Sequence, residues 1–275
     1  MNSRETVLTA FRRKKPDRVP RGMVLSPVLE GQLRQKLGIE DLAEYFQYDI
    51  RCYVGYKPTS KLGDFSKYPS AKPVPHFPGT GLSEWGERWY GGAIAPNTPM
   101  RDFTSVKDVE EYPFPDVGAE YRYEGLEEDV KKIKAAGFPA ISRHEPGTFE
   151  QLWGLRGLER ILMDLVREPE YLKPLLEKIS DIKAQIASNY AKTGVDIVFT
   201  SDDLGAQEMM MMNPDTWRKH LKPCVAKIAK AARRVKQDVL IAFHSDGYIE
   251  PVIPDLIEVG IDILQAVQPE CMDPR

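Results

Sequence analysis

Apolar and polar positions along this chain fall into blocks. Four short apolar runs stop abruptly and hand over to residues capable of chemistry. Pro139-Ala140-Ile141-Ser142 leads into Arg143-His144-Glu145, and Asp196-Ile197-Val198-Phe199-Thr200 into Ser201-Asp202-Asp203. Val239-Leu240-Ile241-Ala242-Phe243 leads into His244-Ser245-Asp246-Gly247, and Asp262-Ile263-Leu264-Gln265-Ala266-Val267 into Gln268-Pro269-Glu270-Cys271. A strand buried on both faces of a parallel sheet reads as a near-continuous apolar run. Reactive groups just past such runs are what an α/β barrel arranges around its mouth.

Between the runs the apolar period becomes helical. Asn2 and Glu5 form a capping-box start for a first helix, which Pro16 ends. Residues 19–25 read as a strand, 28–37 as a helix closed by Gly38, 41–48 as helical and 49–54 as extended. A helix is expected over 126–136, a long helical stretch over 148–192 divided near Glu168-Pro169, and another helix over 214–236. Gly137, Gly194 and Gly260 each close a helix just before a strand, the rhythm of βα units in a parallel sheet.

From about 55 to 100 periodicity is lost. Trp85, Trp89, Tyr90 and Gly91-Gly92 suggest an inserted hairpin or lid. The count gives about six strands, two short of an eight-stranded barrel. The expectation is one domain over 1–275 with its C-terminal βα units missing, Met272-Asp273-Pro274-Arg275 resembling the start of a further helix.

A chain of 275 residues with 42% hydrophobic content suits one large α/β domain. The net charge of −3 and the lack of a basic stripe argue against a nucleic-acid partner. Cys52, Cys224 and Cys271 show no CxxC spacing and read as free thiols of a reducing compartment. No apolar stretch approaches the ~20 residues that span a bilayer, and no leader is visible, so a cytoplasmic protein without a membrane partner is expected. P-loop, GxGxxG, GxSxG and HExxH motifs do not occur.

The strand ends hold the candidate chemistry. His244 and Asp246, at i and i+2, point the same way and suit a metal or a proton-transfer pair. A histidine held by a carboxylate for structure alone has the same spacing. Asp202 and Asp203 fit a general base or a polar substrate contact, and equally a helix cap. In Arg143-His144-Glu145, the His144 and Glu145 pair suits acid–base work, although Pro146-Gly147-Thr148 marks a helix start whose dipole a glutamate also suits. Gln268, Glu270 and Cys271 follow the last strand. Met209 to Met212 could line an apolar cofactor surface or plug the core.

These residues resemble the uroporphyrinogen decarboxylase superfamily, which includes corrinoid-dependent methyltransferases. The matching text starts at Ser3-Arg4-Glu5 and Pro16-Asp17-Arg18-Val19-Pro20, then Trp153-Gly154-Leu155-Arg156-Gly157 with Glu159. It continues through Asp202-Asp203-Leu204-Gly205, Asn213-Pro214 to Lys222-Pro223, His244-Ser245-Asp246-Gly247, and Ile253-Pro254-Asp255-Leu256 to Val267-Gln268-Pro269-Glu270. The resemblance implies a (β/α)8 barrel with its site at the strand C-terminal ends.

True uroporphyrinogen decarboxylases carry an Arg-Gln-Ala-Gly-Arg motif after the first strand, which neutralises the substrate's carboxylates. Here that place holds Met23-Val24-Leu25-Ser26-Pro27-Val28. The resemblance is therefore closer to the methyltransferase branch. It implies a small-molecule substrate, a corrinoid carried by a partner protein, and zinc. Thiol-methylating members hold zinc with a His-x-Cys pair plus a later cysteine. His244 matches and Asp246 stands in the cysteine's place, a harder ligand suited to polarising an oxygen-bearing, for example methoxylated, substrate. On this reading His244, Asp246 and Glu270 hold the metal, with Glu145 nearby. Asp202, Asp203, His144 and Glu145 serve the chemistry, and Arg143 and Gln268 bind substrate. Decarboxylation of uroporphyrinogen is the alternative.

Overall fold

The computed structural model describes residues 1–68, 82–87, 89–90, 93–94 and 98–273. Gly91, Gly92, Pro274 and Arg275, on which part of the lid and helix-start expectations rest, lie outside them. The principal sheet has six strands: β1 (Tyr53–Val54), β4 (Ile141–Ser142), β5 (Glu145–Pro146), β6 (Ile197–Ser201), β7 (Leu240–His244) and β8 (Ile263–Gln265). Its order is β1-β4-β6-β7-β8 with β5 also on β6, and every pairing is parallel. Sequential strands lie side by side, as a barrel requires. The sheet curves without closing, forming part of a (β/α)8 barrel.

The expected strand over 19–25 is reduced to one parallel bridge between Gly22 and Ile50. Pro20 cannot donate to a ladder there, and Val19, Met23 and Val24 stay exposed. A two-stranded antiparallel pair, β2 (Trp89–Tyr90) and β3 (Ala93–Ile94), falls within the expected insertion.

The 148–192 stretch is three helices: α6 (Thr148–Arg156), α7 (Leu158–Arg167) and α8 (Leu172–Lys192). Gly157 at φ 91 separates the first two, and Glu168 in the left-handed region before Pro169 separates the others. The 214–236 helix is likewise divided at Leu221 into α9 (Pro214–His220) and α10 (Lys222–Val235), where Pro223 starts a new helix.

Strand residues sort by parity. Val198, Ile241 and Phe243 face outward and pack with Ile179 and Ile186 of α8 and Ile228 of α10. Ile141, Ile197, Leu240 and Ala242 face inward, where Leu8 and Phe11 of α1 (Ser3–Phe11) close the lower end. Two ion pairs hold α1 and the segment after it. Arg4 grips Asp196 at 2.8 and 3.0 Å, and Arg18 grips Asp49 at 2.5 and 2.7 Å while Ser3 donates to the same carboxylate. Burial works against charge on Asp49, but Arg18, Ser3 and the Arg21 N–H outweigh it and hold the carboxyl at about 2.

Candidate active site

The register of the parallel strands stacks their inward side chains in layers. Tyr53, Ile141, Ile197 and Leu240 are register partners in the lowest layer, and Phe199, Ala242 and Ile263 in the next. The uppermost layer is polar: Ser201, His244 and Gln265. The change from apolar to polar therefore falls at one height, the carboxyl ends of the strands, where barrel enzymes place their chemistry. Below the polar layer lies a cavity of about 170 Å³ lined by apolar side chains together with Tyr53 and Gln265.

His144 lies flat on Phe199 with ring centroids 4.7 Å apart, and edge-on to His244 at 5.1 Å. Burial, reinforced by neighbouring His244, holds the His144 imidazole down at about 4, so it is neutral at pH 7. His244 Nδ1 is hydrogen-bonded to Gln265 Oε1. Its Nε2 faces Asp203 Oδ1 at 3.4 Å and Asp246 Oδ1 at 3.8 Å. Burial disfavours charge on His244, but Asp203 and Gln265 outweigh it and raise its pKa. The His244 contact in turn holds the Asp203 carboxyl below its ordinary value.

The backbone fixes this triplet. The Asp246 N–H donates to Asp203 Oδ1 at 3.1 Å, and Ser245 Oγ accepts the Leu204 N–H at 3.0 Å. Gly205 and Gly247 run so close that a Cβ on Gly205 would stand 2.5 Å from the Asp246 carbonyl oxygen. Gln268 Oε1 accepts the Gly247 N–H at 2.5 Å, so its place is in holding this loop.

One ligand atom each from Asp203, His244 and Asp246 lie within 4.8 Å of one another. Ligands about 2.1 Å from a tetrahedral ion stand roughly 3.4 Å apart, so the spacing fits a divalent cation. A ligand histidine commonly donates its other ring N–H to a neighbouring acceptor, as His244 Nδ1 can to Gln265. One nitrogen and two carboxylates make a hard set without thiolate. The donor set fits a divalent cation, zinc among them.

Other expected residues stand elsewhere. Glu270 is exposed beyond the Pro269 turn and is not part of the cluster, whose third member is Asp203. Glu145 faces outward, away from the polar layer, because it sits one place out of inward parity. Its carboxylate meets Tyr56 OH at 3.3 Å, Tyr190 OH at 3.2 Å and Arg143 at 2.9 and 3.0 Å. Arg143 is occupied there, over the Tyr56 ring at 4.7 Å. Asp202 also faces outward and is completely buried, accepting the Glu150 N–H at 2.8 Å in the first turn of α6. Burial pushes its carboxyl up to about 8.

Three residues of the polar end were given no role from the sequence: Ser201, Gln265 and Glu150. Glu150 reaches from α6 to accept a hydrogen bond from Ser201 Oγ. Burial raises its pKa, and the charge of Asp203 adds to that. Inward parity through Ile197 and Phe199 was the signal for Ser201, whereas nothing in the sequence places Glu150 over it.

No helix among the described residues is long and apolar enough to cross a membrane. Residues 101–268 match the uroporphyrinogen decarboxylase (URO-D) family. Among solved structures, a methyltransferase from Methanosarcina mazei has a similar fold, with a TM-score of 0.60 at 15% sequence identity over 97% of this chain and 76% of that one. No curated protein matches the sequence significantly. With the family match extending over more than half of the 275 residues and the sheet built as that barrel is, this chain belongs to the URO-D family.

Proposed function

We propose that the chain is a methyltransferase, moving a methyl group between a small oxygen-bearing substrate and a corrinoid on a partner protein. The observation that carries this reading is the Asp203–His244–Asp246 cluster at the polar end of β6 and β7. Asp203, His244 and Asp246 would hold zinc there, which would supply Lewis-acid activation of a substrate oxygen. His144 keeps the floor of the site neutral, and Gln265 fixes the His244 ring. The cavity below offers an apolar seat for the part of the substrate that does not react. The fold shared with the Methanosarcina mazei methyltransferase is compatible with this assignment.

Decarboxylation of uroporphyrinogen is the second reading, favoured by the family match. Against it, no Lys or Arg among the described residues lines the inner cavity, where a polyacid would need cations.

The test incubates the chain with zinc, free cob(I)alamin and anisole or 4-nitroanisole, following methylcobalamin by absorbance. Zinc-dependent methylcobalamin supports methyl transfer. Its absence with both ethers, together with formation of coproporphyrinogen from uroporphyrinogen, overturns it in favour of decarboxylation.

A further inference from the structure

Methyl transfer from an ether leaves an electron pair on oxygen, and that oxygen needs a proton unless the leaving group is already stable as an anion. The residues read from the sequence as acid–base candidates do not supply one well. Glu145 and Asp202 face away from the polar layer, and His144, stacked on Phe199, is neutral.

We infer that Glu150 and Ser201 form the proton-donating pair of this site, acting on the oxygen from which the methyl group departs. Ser201 and His244 are register partners on adjacent parallel strands and share inward parity. Their backbones are therefore about 4.8 Å apart and their side chains point to the same face. Glu150 Oε2 is hydrogen-bonded to Ser201 Oγ. The Glu150 backbone is pinned by its N–H bond to buried Asp202 at 2.8 Å, so its side chain has a fixed origin. Ser201 is completely buried, so a substrate oxygen held at Asp203, His244 and Asp246 would meet the serine hydroxyl by displacing the side chains that cover it on the inner side.

With the Glu150 carboxyl protonated, its hydrogen bond runs toward Ser201 Oγ. As the methyl–oxygen bond breaks and its electron pair stays on oxygen, the Ser201 hydroxyl proton moves to that oxygen. The Glu150 carboxyl proton replaces it, leaving a neutral alcohol or phenol, an intact serine and a carboxylate. The methyl acceptor is the low-valent corrinoid of the proposed function, on which this step rests. The charged and titratable groups facing Glu150 are Asp203 and Asp202 from the end of β6, His244 from β7, Lys183 from α8, and Glu87 from just before β2. Burial and Asp203 favour the protonated form, while Ser201, Lys183 and His244 oppose it.

The test compares unsubstituted chain, E150Q and S201A, each with zinc, free cob(I)alamin, and either anisole or 4-nitroanisole. Positioned acids contribute about 10²–10⁴-fold. The expected result is a loss of that size on anisole, whose phenolate leaving group is basic, for both variants. On 4-nitroanisole, whose leaving group needs no proton, the expected loss is below about tenfold. A purely structural role lowers both ethers alike, so equal loss on both, or loss on neither, overturns the inference. Infrared spectroscopy at pH 7 gives a readout independent of turnover: a protonated carboxyl band present in the unsubstituted chain and absent from E150Q. Lack of that band also overturns the inference. If the unsubstituted chain methylates cobalamin from neither ether, the methyl-ether reading fails on its own, and the infrared band still decides whether Glu150 carries the proton.

Discussion

Replacing Asp202 by asparagine sets two strong local effects against each other. The carboxyl is completely buried, which favours its neutral form, yet it sits at the start of α6 and accepts the Glu150 N–H, which favours its charge. Burial wins in the structure, raising the pKa from 3.8 to about 8. Between those values the folded chain keeps a proton that the unfolded chain has released, so stability falls as pH rises from about 4 to 8 and levels beyond. At 1.36 kcal/mol per pH unit the full contribution at pH 7 is about 4 kcal/mol, and relaxation or water entry reduces what is observed to about 2–4 kcal/mol. The asparagine keeps the acceptor for Glu150 and has no proton to lose. Thermal unfolding of both proteins from pH 4 to 9 measures the difference. D202N should match the unsubstituted chain near pH 4 and gain roughly 4–8 °C by pH 8, taking about 2 °C per kcal/mol for a chain of this size. An unsubstituted chain that equals or exceeds D202N at pH 8 would show that the helix terminus holds an ionised carboxylate, and would refute this reasoning.

Three further outcomes follow from the same geometry. Q265A should weaken zinc binding about 10–100-fold in a calorimetric titration by freeing the His244 ring, whereas E270A should leave it unchanged. G205A should also lose zinc affinity, because its Cβ meets the Asp246 carbonyl oxygen at 2.5 Å and must displace that loop, at a cost of about 1–3 kcal/mol in denaturant unfolding. K183M should cost about 3 kcal/mol in the same unfolding assay. Lys183 Nζ donates to Gln151 Oε1 at 2.6 Å, Gln151 donates to buried Glu87 at 2.8 Å, and the ammonium lies 4.6 Å from the Trp85 ring centre.

The layered interior was legible because strand parity is a local property. A run such as Val239 to Phe243 announces a buried strand, and its end marks the height of the mouth. His244 and Asp246 were read from that end, and the structure sets their side chains close together beside Asp203. Facing direction past a strand end was not legible. Glu145 and Asp202 lie as close in sequence to their strands as Asp203 does, yet the first two turn into the helical layer. Adjacent acids differ in parity, and one irregular residue reverses the assignment. Partners from distant sequence were equally hidden. Glu150 meets Ser201 across 51 positions and Gln265 meets His244 across 21, so their pairing emerges only when helix and sheet dock.

The charge at the rim ties the metal cluster to the proton donor. Asp203, Asp246 and Glu150 converge on a region faced by His244 and His144, with Lys183 acting on Glu150 from α8. Carboxylates crowded in a partly dry site repel one another, and the repulsion is relieved by a cation or by protonation. The two remedies divide by location. Asp203 and Asp246 flank His244 Nε2, where a divalent ion could touch all three, so under the proposed function their conflict would be relieved by coordination. Glu150 lies on Ser201 outside that triplet, where burial and the charge of Asp203 push its pKa up, so under the inference above a proton would relieve it. A bound ion would draw negative charge from Asp203 and lower the Glu150 pKa, making its proton easier to give up when substrate is bound. Zinc should therefore shift the infrared titration of the Glu150 carboxyl toward lower pH, and a shift in the opposite direction would separate the two groups into unrelated sites.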